Sequence, residues 1–271
     1  MNDLGRGIEV NINGNDICLK RNLPSTLSDI KNFYSLISAI CQKIRIDNFY
    51  RDNENGFQMV NINNISHFID LDFNDTIKFL KQLYDMDKKY CFPCAISPVY
   101  LDKEIIKSFG IENIDNNEQA HNVSFNFEKY LNDKQAVFLK KWYYGHFVFY
   151  KKNTNFSYGI MELPLNNNSI IPLNPYNNIF CNKSIDQIYI GLVYENQEFS
   201  IKYTDFIKEL SERNIEKYDA CNIVANINEE FAAHLIELYG IKKDILMSEN
   251  YDYSNEKNDL ASSSDEVLLI I

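Results

Sequence analysis

The chain has 271 residues, 31.8 kDa, 45% hydrophobic and 14% aromatic, enough apolar material to bury a core and too much for a wholly disordered protein. Nine glycines and six prolines exclude collagen-like and linker-like architectures. Twenty-seven basic against 38 acidic residues give a formal charge of −11, which disfavours nucleic acid and anionic membranes as main partners and suits a basic protein partner. No apolar run reaches membrane-spanning length, and Met1–Arg6 lacks the plan of a signal peptide. The expectation is a soluble chain, cytoplasmic or delivered to a host cell without a cleavable signal peptide. Its six cysteines, Cys18, Cys41, Cys91, Cys94, Cys181 and Cys221, are then reduced thiols rather than a disulfide framework. About one residue in eight is asparagine, which reads as codon bias.

In chain order, Ile8–Asn13 alternates apolar and polar, meets Gly14-Asn15-Asp16 and resumes with Ile17-Cys18-Leu19, a hairpin signature. Ile30, Phe33, Tyr34, Ile37, Ile40, Cys41 and Ile44 predict a helix over 26–44, capped by Ser25. Residues 47–56 read as a loop and 57–62 as a strand. Helices are predicted over 74–89 and 102–109, the second closed by Gly110. The polar stretch 112–122 reads as an exposed connection ending a first region. Beyond it come a helix over 125–142, strands over 146–150, 158–163 and 187–194, and a loop over 166–175. Helices are predicted over 204–212 and from Cys221 or Asn222 to Tyr239, closed by Gly240. The last segment carries six acids against Lys257 and reads as a mobile tail, whose apolar end, Val267–Ile271, is expected to dock as a strand. The predicted fold class is α+β, a helical N-terminal part followed by a mixed, mainly antiparallel sheet flanked by helices. Its expected regions are 1–122, 123–247 and 248–271.

Three groups of residues bear on chemistry. Cys91-x-x-Cys94 has no second cysteine or histidine pair to complete a zinc site, and a predicted helix before it does not suit a redox pair; two half-buried thiols are the plain reading. His146 opens a predicted strand, and Glu162 ends the next one, so an antiparallel hairpin would set an acid beside an imidazole. Cys221 falls at a predicted helix start, where the dipole favours thiolate. Lys129, Lys134, Lys140, Lys141, Lys151 and Lys152 make the neighbourhood of His146 basic, read as a solvated helix face or a local attraction for an acidic or phosphate-bearing ligand. His67 draws no functional reading. His121 is expected to be exposed, and His234 to pair with Glu230 or Glu237.

The order His146, Glu162, Cys221 over about residues 142–240 resembles papain-like cysteine peptidases and acyltransferases of the CE clan, among them ubiquitin-like-protein proteases, the adenovirus protease and YopJ-type acyltransferases. The resemblance implies that His146 is general base, Glu162 its orienting acid and Cys221 the nucleophile of a thioester reaction on protein substrates, ubiquitin-like ones among them, with no cofactor. The chain departs from the family pattern in three places: Ala220 separates Asp219 from Cys221, Asn222 follows the cysteine, and Asn214 stands near where the family has an oxyanion glutamine. A rearranged order, as in papain and transglutaminase-like enzymes, would take Cys94 or Cys91 as nucleophile with the same His146 and Glu162. A reading of a different class is a non-catalytic acidic binder, of inhibitor or immunity type, that neutralises a basic protein partner such as a toxin.

Overall fold

The computed structural model describes residues 7–53, 56–152, 156–175, 185–213, 215–247 and 267–269. The chain divides into two compact units, Met1–Ala136 with Leu268–Ile271, and Val137–Val267.

The first unit opens with β1 (Glu9–Asn13) and β2 (Asp16–Lys20), paired antiparallel as the alternation predicts. Gly14, at φ +62°, takes the first central place of their two-residue turn, where a type II′ turn requires glycine. Helix α1 (Leu27–Ile44) is capped by Thr26 rather than Ser25: Thr26 Oγ1 accepts from Asp29 N, and the Asp29 carboxylate accepts from Thr26 N. Its stripe of Ile30, Tyr34, Ile37 and Cys41 is buried.

The stretch read as a loop over 47–56 instead forms β3 (Asn48–Asn53), which pairs antiparallel with β4 (Gly56–Asn61). Only its inner face is committed to the unit, through Phe49 and Arg51, so its outer polar residues hid the strand. Helix α2 (Ile65–Asp85) starts nine residues before the predicted Asn74. Its buried face carries Asp72 and Thr76 among Phe68, Phe73, Ile77, Leu80 and Leu83. Those two polar residues broke the apolar period.

Strands β5 (Lys89–Phe92) and β6 (Val99–Leu101) pair antiparallel, and the C-terminal strand Val267–Leu269 lies beside β5, as its apolar sequence predicts. The expected mobile tail before it lies outside the described residues. Helix α3 (Lys103–Ser108) is capped by Asp102, whose carboxylate accepts from Ile105 N at 2.9 Å. Helix α4 (Asn117–Ala136) overrides the connection expected over 112–122, and the boundary expected at 122 falls inside it. Val123, Phe127 and Leu131 hold that helix to the core that α1, α2 and β4–β6 share.

The second unit contains β7 (Tyr143–Tyr144), β8 (Phe147–Lys152), β9 (Phe156–Glu162), β10 (Asn168–Pro172), β11 (Gln187–Tyr194), β12 (Gln197–Lys202), α5 (Tyr203–Ser211), β13 (Glu216–Lys217), β14 (Asn222–Asn226), α6 (Glu229–Tyr239), β15 (Ile241–Lys242) and α7 (Lys243–Met247). One sheet has the order β15-β12-β11-β9-β8 and another β13-β14-β10-β7, antiparallel except for β9–β11 and β10–β7. Ile188, Ile190, Leu192, Ile201, Phe206, Ile223, Phe231 and Leu235 form their common core with α5 and α6. The fold is α+β with mixed, mainly antiparallel sheets, as predicted.

Two expectations fail here. The loop read over 166–175 contains β10, whose Ile170 and Ile171 are both buried, so it lacks the polar face that marks a half-buried strand. The helix expected from Cys221 to Tyr239 is a strand followed by a shorter helix. Asn222–Asn226 ladders onto β10, and Asn228 sets the helix start by accepting from Phe231 N at 2.9 Å.

Candidate functional site

The hairpin expected to orient a base forms. β8 and β9 pair antiparallel with Phe147 opposite Met161, and the register continued by one residue sets His146 level with Glu162. His146 sits in the short gap between β7 and β8, exposed, with its ring 5.4 Å from that of Tyr144. The Glu162 carboxylate, however, is engaged elsewhere. Lys243 Nζ donates to Glu162 Oε1 at 2.9 Å and contacts Glu198 Oε2 at 2.7 Å. The two carboxylates, Glu198 the stronger, hold the ammonium well above the usual lysine range, so the bridge from α7 to β9 and β12 stays charged.

Cys221 is placed differently from the expectation. It precedes a strand instead of opening a helix, and it is 1% exposed. Asp219 fixes this corner: its Oδ1 accepts from Cys221 N at 2.9 Å, Asn222 N at 2.8 Å and Asn222 Nδ2 at 3.0 Å. The carboxylate three residues before Asn222 therefore shapes a turn into β14. Leu173 N donates to Cys221 O at 2.7 Å on one edge of the β10 path, while Gly145 N donates to Ile170 O on the other. The backbones at His146 and Cys221 thus flank β10, two strand spacings or about 10 Å apart.

Asn214 lies outside the described residues, as does Cys181. In the first unit, Cys91 is buried within β5 and Cys94 is half-buried in the β5–β6 connection, without a following helix. His121 is exposed, as expected, and stacks on Phe73 at 4.6 Å. His234 turns from Glu230 and Glu237 to Glu209 on α5, with Nε2 3.3 Å from Oε2. Tyr239 and His234 together hold the Glu209 carboxyl below its usual range.

The strongest polar cluster went unread in the sequence. Asp72 on α2 accepts from Arg21 at 2.7 Å, Arg51 at 2.6 Å and Tyr34 at 2.8 Å, and Arg51 Nε also donates to Tyr34 Oη at 3.3 Å. Arg21 faces the Phe33 ring at 5.6 Å and Arg51 the Phe68 ring at 5.2 Å. The buried Nε and Nη1 of Arg21 have no hydrogen-bond partner among the described residues. One carboxylate thus ties the exit of β2, helix α1 and strand β3 to α2. A polar pair, Asp72 and Thr76, on the inward face of an amphipathic helix was the available signal.

Burial, with Asp72 second, pushes the Tyr34 phenol up from 10.0 to about 12. Below pH 10 both folded and unfolded chains keep that proton; between 10 and about 12 only the folded chain does. Stability should therefore fall as pH rises through this window. Urea unfolding at stepped alkaline pH checks it, and Tyr34→Phe should lose less stability across the same interval than wild type.

A third feature is the outer face of the β3–β4 ribbon. Pairing sets Tyr50 opposite Met59 and Asp52 opposite Phe57 on one face, with Phe49 opposite Val60 on the other. The inner pair packs on the core, while Tyr50, Phe57 and Met59 are 70%, 76% and 62% exposed. Among the described residues no three His, Cys, Asp or Glu side chains are grouped to hold a metal ion, and no helix is long and apolar enough to cross a membrane.

These features define a two-unit α+β protein with solvent-facing β-ribbons and a buried thiol at the position expected of a nucleophile. The chain belongs to the family described as "Domain of unknown function (DUF4299)", which matches residues 1–235. No curated protein and no solved structure matches the chain.

Proposed function

We propose that this chain is a non-catalytic binding protein, of inhibitor or immunity type, that docks a basic protein partner through the outer face of β3–β4. The observation that carries this reading is the Tyr50, Phe57, Met59 patch. Large aromatic and methionine side chains left in water on a face whose reverse side is packed favour a cover, and these residue types are enriched at interfaces. Asp52, level with Phe57, and the net charge of −11 suit a basic partner. Cysteine-based acyl chemistry has less support, since it needs an accessible thiol and Cys221 is buried.

Two measurements test the choice. Iodoacetamide near neutral pH, applied to dilute protein, should label exposed Cys18 ahead of buried Cys41, Cys91 and Cys221. Fast labelling of Cys221 that disappears in His146→Ala would restore the enzyme reading and overturn this one. Partners retained by the tagged full chain from its own cells should be basic and should elute with rising salt. They should bind Cys221→Ala normally and be lost by a folded Tyr50→Ser/Phe57→Ser variant.

A further inference from the structure

The β1–β2 ribbon has a property that its own unit leaves unused. Among the described residues the two strands ladder only with each other; on their apolar face Leu19 packs on the core of the unit, while Val10, Ile12 and Ile17 are 49%, 70% and 43% exposed. An isolated two-stranded ribbon is marginal in water, and its outer edges offer unpaired backbone groups.

We propose that β2 pairs antiparallel with β2 of a second copy of this chain, closing two hairpins into a four-stranded sheet about a twofold axis at Cys18.

The ladder decides the register. Across a two-residue turn the flanking pair, Asn13 and Asp16, is hydrogen-bonded, and pairs alternate from there. Asn11–Cys18 and Glu9–Lys20 are then hydrogen-bonded pairs, whose amides point inward. The amides and carbonyls of Ile17 and Leu19 point outward, at the free edge. A second β2 uses both residues of each copy when Ile17 meets the other copy's Leu19. That register brings Cys18 level with its own copy at the closer, non-hydrogen-bonded spacing. It also sets Asp16 level with Lys20 of the other copy, twice by symmetry.

The segment Asp16-Ile17-Cys18-Leu19-Lys20 is therefore self-complementary in charge as well as in hydrogen bonding. The outer edge of β1 has no such match: its equivalent register sets Glu9 against Asn13. In the joined sheet Val10, Ile12, Ile17 and Leu19 of both copies share one face, and the charges and Cys18 the other.

One five-residue edge is a small contact, below the roughly 1,200–2,000 Å² of stable interfaces, so the dimer should be reversible, with a Kd on the order of 10–100 μM. Sedimentation of the full chain across that range should show dimer rising with concentration. Ile17→Pro should sediment as monomer while keeping its far-ultraviolet spectrum, because it removes an outward N–H that the hairpin does not use. Asp16→Lys and Lys20→Asp should each dimerise about tenfold more weakly. An equimolar mixture of the two should recover wild-type association, since both cross pairs are then opposite in sign; a misfolded variant would not be rescued in this way.

Diamide should link the concentrated wild type through Cys18. Each thiol gives its hydrogen to the diamide, which is reduced to the hydrazine as the two sulfurs join. A chain that stays monomeric at about ten times that Kd, a dimer that survives Ile17→Pro, or a mixture no stronger than its components would overturn the proposal.

Discussion

Replacing Asp72 with alanine should destabilise the first unit by about 3–5 kcal/mol, the usual result of removing one partner from a buried ion network. Asp72, Arg21 and Arg51 have side chains only 7%, 9% and 23% exposed, so two guanidiniums would lose their shared anion with little water to replace it. Tyr34 would lose its acceptor at the same time. Urea unfolding followed by circular dichroism should show the loss at an unchanged slope, and hydrogen exchange should locate it in α1 and α2. Replacing the whole cluster by Arg21→Met, Arg51→Met and Asp72→Leu should cost less than Asp72→Ala alone, because the penalty lies in the unpaired charge. A loss under about 1 kcal/mol for Asp72→Ala would mean that the arginines rehydrate and that the cluster contributes little.

Asp219→Ala is expected to cost about 3 kcal/mol, from removing the acceptor that Cys221 N, Asn222 N and Asn222 Nδ2 share in a buried corner. Cys221→Ala, which deletes one small buried group and leaves in place the backbone N–H that Asp219 holds, should cost about 1 kcal/mol. Trp142 lies in the same unit, so its fluorescence during urea unfolding reports both changes. The opposite ranking would show that the sulfur, not the carboxylate, holds the entry to β14. This contrast also separates two uses of one local sequence: an acid that precedes a catalytic cysteine, and an acid that folds an Asx turn.

Regular local patterns were legible. The β1–β2 hairpin, α1, α3 and the β8–β9 pair follow from alternation, helical spacing and caps, all of which act within a few residues. Misreadings arose where a buried face carried polar residues or an exposed face carried apolar ones. Asp72 and Thr76 hid the first turns of α2, and Asn222–Asn226 read as the start of a helix because apolar residues follow at helical spacing. For the candidate site, the hairpin that sets His146 level with Glu162 was legible, whereas the burial of Cys221 and the capture of Glu162 by Lys243 were not.

By itself, the sequence determined the α+β class, the acidic balance, the N-terminal hairpin and the strand at the apolar C-terminus. Each depends on composition or on neighbours a few positions apart. Only the tertiary structure decided which acid serves which cation, that Cys221 precedes a strand laddered on β10, and which face of each ribbon stays in water. Those outcomes depend on residues brought together from distant parts of the chain, such as Arg21, Arg51 and Asp72, or Glu162 and Lys243, whose separation carries no local signal.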